Sequence, residues 1–280
     1  MNATALDERS VALRRVALTS LIATGGGHIG ASFSCIDILR VLYDTVAKHR
    51  PSDPLWPERD RVILSKGHGC LAQYVLLSDH GYFDAAELAS IGGPGALLGG
   101  HPEWGRVPGI EFSTGSLGHG LSAGVGMAFE LRRRRSASRV FVVLGDGELG
   151  EGSVWEALMS ASHHRLTNLY VLVDVNGIQS SGRTTDVLDP GPLAERFAAF
   201  GCTVREVDGH AATEIEEALA TPSDRPVVVI CRTVKGRGLD IAENNPLWHY
   251  RMGLSDAEVD SMWESLGRRT APADLNGDAA

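Results

Sequence analysis

Two apolar runs, each ending in a polar turn, lie thirty positions apart and narrow the folds open to this chain more than any other feature. Residues 139–144 (RVFVVL) lead into Gly145-Asp146-Gly147, and Leu169–Val175 (LYVLVDV) leads into Asn176-Gly177, with a helical pattern over residues 151–165 between them. Strands that are apolar on both faces must be covered on both faces, so the expected class is α/β, a parallel sheet with helices on both sides. A strand-helix-strand unit of this length crosses over right-handedly and leaves its strands parallel. Asp146 and Asn176 then stand together at strand carboxyl ends, the edge where open α/β sheets bind ligands. A carboxylate and an amide oxygen are hard donors suited to Mg²⁺ or Ca²⁺, and Mg²⁺ completes its octahedron with phosphate oxygens and water. Gly147 and Gly177 would let phosphate or metal approach the main chain. Taken alone, each turn is an ordinary post-strand dipeptide; both at this spacing, with a helix between, favour a ligand-binding edge.

The remaining pattern extends the same plan. Residues 6–23 read as a helix with Leu13, Val16, Ala17 and Leu21 on one face, ended by three glycines. Residues 33–47 form a second helix stopped before Pro51, and residues 71–78 a third. Arg61–Leu64, 203–207 and 227–231 read as strands, with a helix over 213–220. Residues 91–116 are rich in glycine and proline without periodicity, a long loop of the kind that carries function. One domain is expected over residues 1–268, followed at 269–280 by a polar, disordered tail with the look of a natural C-terminus.

Composition removes several function classes. A net charge of −9 argues against a general nucleic-acid binder, and the basic run at 132–135 reads as a solvated helix end. No apolar run reaches the ~20 residues of a membrane helix. Asp7, Glu8, Arg9, Arg14 and Arg15 interrupt the stretch where a signal peptide would be apolar. Cys35, Cys70, Cys202 and Cys231 form no CxxC pair and read as free thiols, consistent with a cytoplasmic protein.

With Gly145-Asp146-Gly147 and Asn176 in place, the surrounding segments GDGELGEGSVWEAL and DVNGIQSSG resemble the transketolase family. So do GGHIGAS (26–32), SKGHG (65–69), GHPE (100–103), PGIEFSTGSLGHGLSAGVGMA (108–128) and ENNPLWH (243–249), over about residues 10–255 and in family order. The resemblance implies the diphosphate-binding domain of the thiamine diphosphate fold. It implies Mg²⁺, with Ca²⁺ as a substitute, held by Asp146, Asn176 and the carbonyl of Ile178. Gly145, Gly147, Glu148 and the turn Gly115, Ser116 and Leu117 would lie against the cofactor. His68 and His249 would touch both cofactor and reacting groups, while His28 and His101 would line the substrate channel. An electron-sink cofactor that cleaves a ketose needs protons delivered and removed at each step, and imidazole suits both.

The remaining histidines read as structural or exposed. His119 divides evenly between a cofactor contact and a structural role, His163 and His164 close a helix, His210 belongs to a DGH turn, and His49 and His80 read as surface residues. Glu151 matches a family glutamate at the dimer interface. The chain departs from full-length relatives by ending before the second domain, which supplies the glutamate that activates the aminopyrimidine. The resemblance is therefore to the N-terminal subunit of a split transketolase, whose partner carries the pyrimidine domain, most simply as a heterotetramer of two copies of each. Tyr250, where glycine often follows the histidine, bears on substrate choice. Thiamine diphosphate-dependent acyl transfer or carboligation, and a scaffold without chemistry, are the alternatives.

Overall fold

Five strands, β1 (Arg61–Leu64), β2 (Val140–Gly145), β3 (Leu169–Val175), β4 (Thr203–Asp208) and β5 (Val227–Arg232), form a parallel sheet in the order β1-β2-β3-β5-β4. The computed structural model describes residues 5–267, so the tail expected at 269–280 lies outside the described residues. The helices are α1 (Glu8–Ala23), α2 (Ile29–Val41), α3 (Cys70–Asp79), α4 (His119–Arg133), α5 (Gly152–His163), α6 (Thr184–Leu188), α7 (Leu193–Ala199), α8 (Ala212–Ala220) and α9 (Asp256–Ser265).

Alternation along the strands explains the two-sided cover. Phe141, Val143, Leu172 and Val229 join a core with Leu13 of α1, Ile36 of α2, Tyr74 of α3 and Ile215 of α8. Val140, Val142, Val171 and Val228 face the other way, onto Leu121 of α4, Val154 and Leu158 of α5 and Phe197 of α7. Truncating a fully buried member such as Leu172 to alanine is expected to cost about 2–5 kcal/mol.

Local chemistry fixes the helix ends. Asp7 caps α1 by accepting the Ser10 N–H at 2.8 Å, and a reciprocal Ser255–Glu258 capping box opens α9. The second helix begins at Ile29 rather than 33, and beyond Val41 it continues as a wider turn, Leu42–Val46. Residues 91–116 contain no regular helix or strand, as the sequence suggests. Among the described residues no helix is long and apolar enough to cross a membrane.

A buried ionic cluster ties these layers to the segment after β5. Arg14 donates two bonds to Asp37, at 2.7 and 3.1 Å, and a third to the Arg237 carbonyl at 2.8 Å. His210 meets Asp37 through Nδ1 at 2.8 Å while its Nε2 accepts the Val234 N–H at 2.9 Å, so the ring proton sits on the Asp37 side. The structural reading of His210 holds. Residues 233–249, which carry Lys235 and His249, are anchored from below by this cluster.

Candidate cofactor and substrate site

β2 and β3 run in register to their ends, Gly145 opposite Asp174, so the turns that follow them meet. Asp146 bridges those turns: Oδ1 accepts the Gly147 N–H at 2.8 Å and Oδ2 the Gly177 N–H at 2.6 Å. The Asn176 Oδ1 accepts the Ile178 N–H at 3.1 Å. The Ile178 carbonyl accepts from Lys235 Nζ at 2.6 Å, and the same ammonium meets His249 Nδ1 at 3.0 Å. With the lysine as donor, the His249 ring proton belongs on Nε2. Beneath them Lys66 and Asp174 form a fully buried ion pair, with Ser34 donating to Asp174 at 2.6 Å.

Lys66, Asp146, Gly147, Asn176, Ile178 and Lys235 line a cleft of about 260 Å³ whose other wall is imidazole. The His28 ring lies 5.5 Å from His68, 5.9 Å from His101 and 5.8 Å from His249, and His68 lies 5.3 Å from His249. His28 is placed by the start of α2, His68 by the turn before α3, and His101 by the long loop. Gly115 has φ +147, and a Cβ there would come within 2.9 Å of the His101 ring, so only glycine lets that loop close on the histidine.

The electrostatics suit an anion carried with a cation. Burial and the neighbouring Asp174 push the Asp146 carboxyl up to about 6, against its two backbone bonds and Lys66. Burial and Lys66 bring Lys235 down to about 8. Burial alone would raise the Asp174 carboxyl, but Lys66 outweighs it and keeps the group ionised. Burial with the nearby Lys66 and rings lowers His68 to about 2. Burial lowers His28 to about 4, with His101 and Lys235 adding to it, and His249 to about 4, with Lys235 adding. These three rings are neutral at pH 7, each able to donate at one nitrogen and accept at the other. The carboxylate, amide and carbonyl oxygens are a hard donor set for Mg²⁺ or Ca²⁺. A Cβ at Gly147 would lie 2.8 Å from the Gln179 Oε1 and 3.0 Å from its Cβ, so glycine lets this turn pack against Gln179. The residues present fit a metal-bound diphosphate.

Most predicted positions gather here: His28, His68, His101, Gly115, Leu117, Gly145, Asp146, Gly147, Glu148, Asn176, Ile178 and His249 all line the cleft. Ser116, at the bend before the turn at 117–118, is exposed and stands outside the lining. Glu148 lines the cleft but spends its oxygens on the Gly118 N–H (2.9 Å), the Gly145 N–H (3.2 Å) and Ser65, bracing the turns. His119 is exposed and outside the lining, and Glu151 is exposed. His49 and His80 are half-buried rather than superficial, packed 4.9 Å apart. Asp44, Asp79 and His80 come close at the surface, but Arg9 bridges both carboxylates, at 2.9 and 2.5 Å.

Sequence reasoning missed Lys66, Asp174 and Lys235. Lys66 stands inside the SKGHG segment, and Lys235 follows an apolar strand as Asp146 and Asn176 follow theirs. The strand-end rule applied to all three strands marks Lys235 as a candidate, and the sheet order then puts it beside Ile178.

Comparison with known proteins converges on one family. The family model described as "Transketolase, thiamine diphosphate binding domain" matches residues 7–276. The chain is 38% identical over 264 residues to one of the subunits of the apulose-4-phosphate transketolase of Actinobacillus succinogenes, covering 93% of this chain and 95% of that protein. It is 36% identical over 263 residues to the 6-deoxy-6-sulfo-D-fructose transketolase subunit SqwG of a Clostridium species, covering 93% and 94%. A solved transketolase variant from Pichia stipitis superposes with a TM-score of 0.88 at 28% identity, over 97% of this chain and 43% of that one.

Proposed function

The chain belongs to the transketolase family of transferases, and on that premise we propose that it is the diphosphate-binding subunit of a split transketolase. Its reaction moves a two-carbon ketol unit between sugar-like substrates, with thiamine diphosphate and Mg²⁺, in a cytoplasmic assembly with a separate chain carrying the pyrimidine-binding domain. Two copies of each chain are the simplest assembly. Support for the two-chain form comes from two relatives that are named as subunits and are matched over nearly their whole length; the chain spans about two fifths of the solved transketolase.

The observation that carries the proposal is the junction of β2 and β3, where Asp146, Asn176 and the Ile178 carbonyl meet Lys235 beside the Gly147 turn. Asp146, Asn176 and Ile178 would hold the metal, Lys235 and the Gly147 turn would hold the diphosphate, and the cofactor supplies an electron sink for breaking a carbon–carbon bond beside a carbonyl. His249 then offers an Nε2 proton to an oxygen that gains negative charge, its other nitrogen held by Lys235. His28, His68 and His101 form the rest of a proton-sharing wall against which substrate hydroxyls orient.

Calorimetric titration of the chain, with its partner where binding needs it, tests this. Thiamine diphosphate should bind only with Mg²⁺, thiamine without its diphosphate should not bind, and Asp146→Ala should abolish the Mg²⁺-dependent binding without unfolding the chain. Equal binding by the variant would refute the site.

A further inference from the structure

Only one side of the His210 ring belongs to the closed cluster around Asp37. Nδ1 donates to Asp37 at 2.8 Å, while Nε2 faces away from it and accepts the Val234 N–H at 2.9 Å. Val234 immediately precedes Lys235, whose ammonium joins the Ile178 carbonyl to His249. The ring therefore stands between a buried charge cluster and the segment that presents the lysine of the cleft.

Sheet order brings it there. Strand β4 is the edge neighbour of β5, with Asp208 opposite Arg232, so the turn after β4 lies beside the segment leaving β5. That turn, Asp208-Gly209-His210, docks through the Gly209 N–H on the Arg232 carbonyl at 2.7 Å. A Cβ at Gly209 would collide with the Thr233 side chain, so glycine brings the ring within reach of Val234. On either side, Thr233 and Gly236 donate their N–H groups to the main-chain carbonyls of Val175 and Gly30, both at 3.1 Å. Side-chain substitution leaves those two bonds in place. The Val234 bond ends on a side chain and can be removed.

The position of residue 234 passes on to the ammonium because Lys235 has little room. It is 1% exposed, and its stem crosses Gly30, where a Cβ would lie 3.0 Å from both Cγ and Cε. A stem confined like this cannot swing to compensate for a shift of the main chain.

We propose that His210 is a positioning residue of the cleft, acting through the Val234 N–H to hold Lys235 against Ile178 and His249. That the positioned ammonium serves a diphosphate rests on the function proposed above.

Two near-isosteric changes separate positioning from folding. In His210→Asn the amide nitrogen takes the Nδ1 place and still donates to Asp37, while nothing reaches Val234. In His210→Gln the amide oxygen takes the Nε2 place and accepts the Val234 N–H, while the Asp37 bond is lost. Each leaves one buried group short of a partner, so both should lower the melting temperature. Affinity is read by calorimetric titration of the full chain, with its partner where binding needs it, using inorganic pyrophosphate and Mg²⁺. His210→Asn should weaken binding roughly fivefold, about the worth of one net hydrogen bond, and His210→Gln should keep the affinity of the unaltered chain. In a Lys235→Met background His210→Asn should change affinity no further, since the group it positions is gone. A second measurement needs no variant: saturating pyrophosphate and Mg²⁺ should slow amide exchange at Val234 more than at Gly209, because coupling is reciprocal. If His210→Asn does not fold, His210→Gln and the exchange measurement decide. Full affinity in His210→Asn, equal weakening by both variants, a further loss in the Lys235→Met background, or Val234 exchange indifferent to pyrophosphate would overturn the proposal alone. No pyrophosphate binding, or binding unchanged in Lys235→Met, would overturn the diphosphate reading and the proposal with it.

Discussion

Two buried charge clusters meet helix α2, and they are built to opposite ends. Around Asp37 every strong group is consumed: Arg14 donates twice, His210 donates, and Ser10 donates as well. Burial would raise that carboxyl, but Arg14 and His210 override it and hold it far below the ordinary carboxylate range. At the ends of β2 and β3 only the Lys66–Asp174 pair closes in this way. Asp146 is pushed up to about 6 and Lys235 down to about 8, each held where its charge is disfavoured and each reaching the cleft. The residue types are much the same in both places. What separates a structural cluster from a binding one is whether its bonds close internally.

The largest effect should come from breaking the closed cluster. Asp37→Ala leaves Arg14 buried without its carboxylate and should cost about 3–5 kcal/mol, read by urea denaturation at pH 7. Because the folded-state pKa of Asp37 is depressed, its contribution is complete above the ordinary aspartate value of 3.8 and is lost as pH falls through the folded value. The stability gap between the two proteins should hold across neutral pH and narrow only in strong acid. An equally stable variant at pH 7 would erase the distinction between the clusters.

Next in size is His101→Ala, in the exposed loop of the open site. Turnover of the proposed two-chain enzyme should fall ~10²-fold, while cofactor affinity and melting temperature stay nearly unchanged. Equal losses in turnover and cofactor binding would make His101 structural.

Lys235→Met sharpens the contrast from the other side. Pyrophosphate binding with Mg²⁺ should weaken about tenfold, as expected for one charge-assisted bond. The melting temperature of the isolated chain should not fall, since burial already works against that charge. A large loss of stability would place Lys235 with the closed cluster. The smallest effect belongs to Glu151→Gln: the residue is exposed in the single chain, so stability should change by no more than about 0.5 kcal/mol and any consequence should appear in assembly.

The sheet was legible because its central strands are apolar on both faces, and Arg61–Leu64 and Leu169–Val175 fall where their side chains put them. Helix α4 was not, because Gly120, Gly124 and Gly126 depress helix propensity. A Cβ at Gly124 would lie 2.5 Å from Val142, so the same glycine that hides the helix in the sequence lets it settle on β2. Asp146 and Asn176 could be read from spacing alone. The four histidines come from separate segments and were grouped only by family resemblance; no periodicity unites them. Lys235 escaped notice because its place beside Ile178 depends on β5 lying next to β3, a neighbour relation that sequence order does not print.

At the centre of the proposed function is a divided site, in which the open cluster would bind one end of the cofactor and a separate chain would complete it. The direct measurement is deuterium exchange at the thiazolium carbon of thiamine diphosphate with Mg²⁺ and saturating chain, with and without the pyrimidine-domain partner. Exchange should stay at its solution rate with this chain alone and accelerate by orders of magnitude when the partner is added. Fast exchange with this chain alone would mean that these 280 residues supply the activating carboxylate themselves, and the half-site account would be wrong.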